Sequence, residues 1–222
     1  MKNKNYGFKD IFIIWGLWAI SLNIIKKIID LYQNNFDFSL KTIFVTTYLI
    51  SYFLLFFLIY IFTCKKYGKS LKKEFFIKKI SLKNTIMSLT FGLSMAITFI
   101  FLSELDFQKI KGDNLSVMIY YVLVSSVIGP FVEEIFARGV LYNYLTRKTN
   151  IVISILLINI WFVIAHMHLK NENTILFFIS IFIAGTIFNL QRYFYKSLTP
   201  SIITHFSYNF ITGIYTIILV IK

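Results

Sequence analysis

The chain has very few of the residues that stabilise or connect the parts of soluble multidomain proteins. Its single cysteine, Cys64, excludes an internal disulfide bond, and its two prolines leave no proline-rich linker. Acidic residues are also scarce, 10 against 23 lysines and arginines. No HExxH motif is present, so the usual arrangement of soluble zinc proteases is absent. We therefore expect neither a disulfide-stabilised scaffold nor an independent soluble domain.

Hydrophobic residues make up 57% of the chain and give a mean hydropathy of +0.71, which excludes an ordinary soluble protein. A helix that crosses a bilayer needs about 20 mostly apolar residues. The sequence predicts an all-α polytopic transmembrane bundle of seven helices, or eight if Pro130 divides the fourth apolar run. These runs are Ile11–Ile25, Ile43–Cys64, Ile86–Leu102, Leu115–Leu145, Ile151–Ala165, Ile175–Leu190 and Ser201–Ile221.

The net charge of +13 is concentrated in a few loops. Under the positive-inside rule the most basic loop is cytoplasmic, which predicts a multi-pass protein of the cell membrane. Seven alternating spans then put the N-terminus inside and the C-terminus outside. The partner implied by this charge is the lipid bilayer, not a nucleic acid. The predicted inside residues are Lys2, Lys4, Lys9, Lys65, Lys66, Lys69, Lys72, Lys73, Lys78, Lys79, Lys83, Arg147, Lys148, Arg192 and Lys196.

Strongly polar groups stand out inside the fourth apolar run. Glu133, Glu134 and Arg138 lie within six positions of one another, although each charge at membrane depth costs ~2.5–3.5 kcal/mol. Glu134 and Arg138 are spaced i, i+4 and can pair on one helix face. Glu133 points about 100° away, without a local cation, and is a candidate general base. The alternative is that all three charges form a structural ion network.

Two later runs carry further candidates. Phe162 and His166 are spaced i, i+4, as are His205 and Asn209, while His168 falls in a predicted loop. A lone histidine on an apolar helix is often only a packing residue. Taken together, however, these groups fit amide hydrolysis: Glu133 as base, His166 orienting the water, and His205 with Asn209 facing the carbonyl oxygen. Zinc held by His166, His205 and Glu133 is a second possibility.

Three motifs occur in order on three of these runs. They are EExxxR at Glu133–Arg138, FxxxH at Phe162–His166 and HxxxN at His205–Asn209. They resemble the CPBP family of intramembrane proteases, which includes CAAX prenyl proteases and bacteriocin-processing (Abi) enzymes. The resemblance covers roughly residues 125–212. The chain departs from the family at Ala137, where Phe is frequent, and at Tyr208, where Asn is common.

The resemblance implies a role for each matching residue. Glu133 and His166 would activate water, His205 and Asn209 would stabilise the oxyanion, and Glu134 and Arg138 would support the site. Residues 1–222 would form one membrane domain, with scaffold or docking helices in 1–114 and a catalytic core in 115–222. A divalent metal such as zinc is a possible cofactor, which would make the enzyme a metalloprotease.

The leading interpretation is an endopeptidase that cuts a small peptide precursor or a membrane protein. The Lys-, Ile-, Asn- and Phe-rich composition suggests a Gram-positive bacterium, where the family is linked to bacteriocin maturation and self-immunity. The alternative is a non-catalytic bacteriocin immunity or scaffold protein that uses the polar cluster structurally. A proton-coupled transporter is a third reading, although no inverted repeat supports it.

Overall fold

The computed structural model describes residues 6–33, 40–103, 115–166 and 174–221, and within these ranges the chain is helical with no strand. This confirms the predicted all-α transmembrane bundle. His168 lies outside the described residues. The helices are α1 Phe8–Gln33, α2 Leu40–Tyr60, α3 Leu71–Glu74, α4 Leu82–Ser103, α5 Leu115–Leu123, α6 Gly129–Glu134, α7 Tyr142–Leu145, α8 Ile151–Ala165, α9 Thr174–Tyr195 and α10 Thr199–Ile221.

Length and composition agree with a membrane location. Among the residues that the structure describes, five helical segments are long and apolar enough to cross a bilayer, and α8 is a shorter apolar helix. Large apolar side chains such as Phe12, Phe53 and Phe101 are more than half exposed on the outer faces of their helices. Exposure on this scale would be unfavourable in water but is expected against lipid tails. The protein is therefore a multi-pass membrane protein.

The fourth apolar run forms one continuous helical segment, so Pro130 does not divide it into two spans. Two π-helical turns, Val124–Ile128 and Ile135–Leu141, separate α5, α6 and α7 within it. Pro130 falls in the first turn of α6, where its missing N–H is tolerated because the register changes at that point. Such π-turns are frequent at functional sites, and these two flank the Glu133–Glu134 pair.

Helix α10 is the central element of the bundle. It packs along α4 and also contacts α5, α6 and α9, while α1 packs on α2 and α8 on α9. The α4–α10 contact is close because Gly92 has no side chain. A Cβ atom added there would lie only 1.9 Å from Ser207 Oγ and 2.4 Å from the carbonyl oxygen of Thr204. This contact holds the helix that carries His205 and Asn209 against the rest of the bundle.

The predicted cytoplasmic loops lie together at one end of the molecule. Asn143 Nδ2 donates to the Glu74 carbonyl at 3.0 Å, and Thr199 Oγ1 donates to the Lys78 carbonyl at 2.6 Å. The start of α1 joins them through Asp10, which accepts hydrogen bonds from Lys66 and Tyr67. Which side of the membrane this end faces stays a prediction.

Candidate active site

The four candidate catalytic side chains line one cavity of about 330 Å³ inside the bundle. Glu133 comes from α6, His166 from the end of α8, and His205 and Asn209 from α10. The remaining wall is mainly aromatic and aliphatic. It includes Trp18, Val45, Tyr48, Tyr52, Leu55, Phe99, Tyr121, Trp161, Phe162, Phe177, Ile181, Phe188 and Tyr208. A few polar groups thus converge in a largely apolar chamber, which is the common form of a ligand or active site.

The two oxygens of the Glu133 carboxylate have different neighbours. Oε1 accepts a hydrogen bond from the Tyr52 hydroxyl at 2.5 Å. Oε2 lies 3.9 Å from His166 Nε2 and also 3.9 Å from His205 Nε2. These separations are too long for direct hydrogen bonds, and each is long enough for a water molecule to bridge the two atoms. The carboxylate is therefore equally close to both histidines.

His205 is oriented by Glu134. Its Nδ1 atom lies 3.1 Å from Glu134 Oε1, which also accepts from Arg138 Nη1 at 3.0 Å. A carboxylate paired with a guanidinium can only accept, so Nδ1 of the imidazole carries the proton and donates. Nε2 then faces Glu133. This nitrogen has an unprotonated lone pair in the neutral ring and carries a proton in the charged ring. Phe188 stacks on the imidazole at 4.8 Å between ring centroids and fixes its plane.

Arg138 is fully buried, and its partners explain how the charge is accommodated. Besides Glu134, it donates from Nη2 to the Gly185 carbonyl at 3.1 Å. Its guanidinium lies 4.4 Å from the centre of the Phe162 ring and 5.2 Å from that of Phe188. The ion pair and the cation–π contacts together offset part of the desolvation cost. The i, i+4 pairing predicted from sequence is present.

His166 lies directly after the last residue of α8, where the final carbonyl groups of a helix lack partners. Its Nδ1 atom is 2.7 Å from the Phe162 carbonyl oxygen. Because that oxygen can only accept, Nδ1 carries the proton, and the Nε2 lone pair on the Glu133 side can accept from a water molecule. The FxxxH spacing therefore has a local structural reason: the ring caps its own helix.

Asn209 is held by the first π-turn. Its Nδ2 atom donates to the Ser125 carbonyl at 2.8 Å. In the π register, the Gly129 N–H bonds to the Val124 carbonyl, so the next donor along the chain would be residue 130. Pro130 has no N–H, which leaves the Ser125 carbonyl available to the Asn209 side chain. The second hydrogen of the same amide stays available to the cavity.

The arrangement does not match a zinc site. Zinc bonds of about 2.0–2.2 Å in tetrahedral geometry place ligand atoms about 3.4 Å apart, whereas Glu133 Oε2 is 3.9 Å from each histidine nitrogen. Within the described ranges, no group of three or more His, Cys, Asp or Glu side chains is placed to hold a metal ion. The geometry suits a water molecule better than a zinc ion.

Sequence reasoning missed Tyr52 and misassigned Arg192. Tyr52 lies on α2, in the half assigned only to scaffold or docking, and no spacing rule links it to Glu133. Arg192 was counted as a loop charge, but it is 4% exposed and donates from Nε to the Arg138 carbonyl at 3.2 Å. The rings of Phe76 and Tyr142 cover its guanidinium, which removes it from solvent. Its position four residues before Lys196 gave no sign of this.

A buried amide network behind the site was also not predicted. Asn189 Nδ2 donates to Asn159 Oδ1 at 2.8 Å, and Asn159 Nδ2 donates to Thr186 Oγ1 at 2.7 Å. Asn189 Nδ2 also donates to the Gly185 carbonyl at 2.9 Å, the same carbonyl that accepts from Arg138. The network ties α8 to α9 beside the ion pair. Two asparagines in apolar runs were the available signal.

Comparison with known proteins agrees with the motifs. Residues 115–211 match the family model described as Rce1-like, type II CAAX prenyl endopeptidase Rce1-like. The match begins with α5 and ends within α10, so it contains all three motifs but none of α1–α4. No curated protein and no solved structure matches the chain. Residues 115–211 are therefore similar to the Rce1-like CAAX prenyl endopeptidases, which agrees with the resemblance carried by the three motifs.

Proposed function

We propose that this protein is an intramembrane endopeptidase in which Glu133 activates the attacking water. The observation that carries the proposal is the position of Glu133 Oε2, 3.9 Å from both His166 Nε2 and His205 Nε2 inside an apolar cavity. A water placed between these atoms meets a proton acceptor on each side. A general base must be within hydrogen-bond reach of the proton that it removes, and a water bridging Glu133 Oε2 and His166 Nε2 would meet this requirement.

In the proposed reaction, Glu133 Oε2 takes a proton from the water while the water oxygen bonds to the substrate carbonyl carbon. His166 orients the water through the Nε2 lone pair. Collapse of the tetrahedral intermediate breaks the C–N bond, and Glu133 returns the proton to the leaving nitrogen. One water is consumed, and the products are a new carboxyl group and a new amine.

His205 and Asn209 are proposed to stabilise the oxyanion. The Asn209 amide keeps one hydrogen for this purpose, since the other is used by the Ser125 carbonyl. His205 donates from Nε2 when its ring carries both protons, while its Nδ1 donates to Glu134. Arg138 supports the arrangement by holding Glu134.

The proposed substrate is an apolar segment of a small peptide precursor or of a membrane protein. The apolar cavity wall supports this choice, as does the description of the matched family as prenyl endopeptidases. We also propose bacteriocin maturation or self-immunity as the biological setting. Cells that make Glu133→Gln or His205→Ala in place of the wild type should lose peptide output or protection. Full function in both variant strains would favour a non-catalytic role.

Glu133→Gln is the decisive variant for catalysis because it keeps the shape of the side chain and removes the base. Purified protein in detergent is mixed with quenched fluorogenic peptides, one prenylated next to the scissile bond and one apolar without a prenyl group. We expect the rate to fall by roughly 10²–10⁴-fold, the usual contribution of a positioned base. Glu74→Gln is the matched control, since Glu74 pairs with Lys69 far from the cavity.

Retained cleavage by a well-folded Glu133→Gln protein would contradict the role of Glu133. If the wild type cleaves neither peptide and no cellular precursor, the endopeptidase proposal itself fails. Unfolding midpoints of all three proteins show whether a loss of activity reflects a loss of fold.

The donor geometry also predicts the response to chelation. Because Glu133 Oε2 and the two histidine nitrogens are spaced for water and not for zinc, cleavage should survive dialysis against a strong chelator at about the original rate. Loss of activity that added zinc restores would instead show that the site closes around a metal.

A further inference from the structure

We propose that Tyr52 is a positioning residue that sets the orientation of the Glu133 carboxylate, so that α2 completes a site whose candidate catalytic groups all lie in residues 115–211. The proposal rests on the function proposed above. Its first support is the hydrogen bond from the Tyr52 hydroxyl to Glu133 Oε1 at 2.5 Å. It is a charge-assisted contact between two helices, and such bonds are stronger than neutral ones.

The bond restricts the carboxylate in the way that the reaction needs. A glutamate side chain ends in a torsion with broad preferences, so an unattached carboxylate could turn either oxygen toward the histidines. With Oε1 held by Tyr52, Oε2 is the oxygen left facing His166 and His205, at 3.9 Å from each. A small misplacement of a catalytic group lowers the rate strongly because the near-attack geometry is lost.

Tyr52 is itself held firmly. It is 8% exposed and lines both the catalytic cavity and a neighbouring apolar groove, so its ring forms part of the wall between them. It lies against Gly129, where an added Cβ would be 3.2 Å from the hydroxyl oxygen and 3.3 Å from two ring carbons. The glycine at the start of α6 thus makes the space that lets the hydroxyl reach the next helical turn.

The test compares kinetic constants of the full-length protein on the fluorogenic peptides described above. Tyr52→Phe keeps the ring and removes the hydroxyl. We expect kcat to fall by roughly 10- to 100-fold, the range for a hydrogen bond to a charged group, with KM within about twofold of the wild type because no substrate contact is removed. Tyr60→Phe is the matched control, a partly exposed tyrosine on the same helix and outside the cavity.

A second variant separates positioning from folding. Gly129→Ala pushes a methyl group against the Tyr52 hydroxyl, so it should lower kcat in the wild-type background. In the Tyr52→Phe background the same substitution should lower kcat much less, because the hydroxyl that it displaces from Glu133 is already absent and only the two ring-carbon contacts remain. Two independent structural defects would add instead.

The two proposals fail in different ways. If the wild type cleaves the peptides and Tyr52→Phe behaves like Tyr60→Phe, the positioning role is overturned and the endopeptidase function stands. Additive effects of Gly129→Ala and Tyr52→Phe on kcat would also overturn it. No cleavage by the wild type would remove the function on which the role of Tyr52 depends.

Discussion

At the scale of single residues, the most consequential feature is a buried ion pair that orients a histidine. Glu134 Oε1 accepts from both Arg138 and His205, and all three side chains are buried. Glu134 therefore connects the second π-turn to the imidazole. The pair contributes more to the orientation of the His205 ring than to net stability, because a buried ion pair gains little stability over an apolar pair of the same size.

Removing one partner of this pair should be costly. Arg138→Met leaves the Glu134 carboxylate buried without its cation, and we expect a loss of about 3–5 kcal/mol in unfolding free energy. Reversible unfolding in detergent measures it. Arg147→Met, at an exposed position in the α7–α8 turn, is the control and should change stability by less than about 0.5 kcal/mol. Equal stability of the two variants would contradict the assigned role of the pair.

The site residues that the sequence predicts share one property: their regular spacing along a helix makes them recognisable. The i, i+4 pairs at Glu134, Phe162 and His205 lie on single helix faces, so elementary helix geometry was enough to group them. Tyr52 and Arg192 act across helices, and no pattern within one helix reports such a contact. Tyrosine and arginine are also common at membrane interfaces, so an interfacial position was expected for both residues.

At the scale of helices, the packing of α4 on α10 determines where the catalytic end of α10 lies. The two helices approach closely at Gly92, which faces Ser207 and the Thr204 carbonyl. Thr204 Oγ1 also donates to the Ser88 carbonyl at 3.0 Å and accepts from Gln191 Nε2 at 2.8 Å. Helices α4, α9 and α10 therefore meet one position before His205.

Gly92→Ala tests this contact. The added methyl group overlaps Ser207 Oγ and the Thr204 carbonyl, so the helices must separate. We expect a loss of about 1–3 kcal/mol in unfolding free energy, as for other overpacked contacts. Gly16→Ala is the matched control on α1, where an added Cβ meets nothing within 4 Å and the substitution should stabilise the helix by about 0.5–1 kcal/mol. A harmless Gly92→Ala would contradict the close approach.

The start of α1 is fixed to the end of α2 by a small polar cluster. Asp10 accepts hydrogen bonds from the Gly7 backbone N–H at 2.8 Å and from Lys66 and Tyr67. Burial, with a further contribution from Asp10, raises the pKa of the Tyr67 phenol to about 12. The phenol therefore stays protonated at neutral pH and keeps its donor role toward Asp10.

At the scale of the whole molecule, hydropathy predicted the helices well because each span must satisfy its own backbone hydrogen bonds in lipid. The depth of each site residue along the membrane normal was harder to predict. Counting helical rise places Glu133 much further from its turn than His205 is from the start of α10. The structure resolves this: Arg192, near the end of α9, reaches the Arg138 carbonyl. Helix α7 and its turn therefore extend beyond the α9–α10 turn, and the motifs meet at one level.

The predicted topology has a direct measurement. Alkaline phosphatase fused to the C-terminus should be active and green fluorescent protein fused there should be dark, because seven spans from a cytoplasmic N-terminus end outside. Fusions placed after Lys148 should show the reverse, since Arg147 and Lys148 belong to the end that carries the basic loops. The opposite pattern would show that this basic end faces outward.

Helix α2 contributes the Tyr52 hydroxyl and part of the cavity wall, and this determines whether the protein can work when it is cut into fragments. Residues 115–211 produced alone would lack that side of the chamber, and the site would be open to the surrounding lipid there. A chain cut between residues 104 and 114 should accordingly be inactive as separate fragments. Activity should return when both fragments are made together in one membrane.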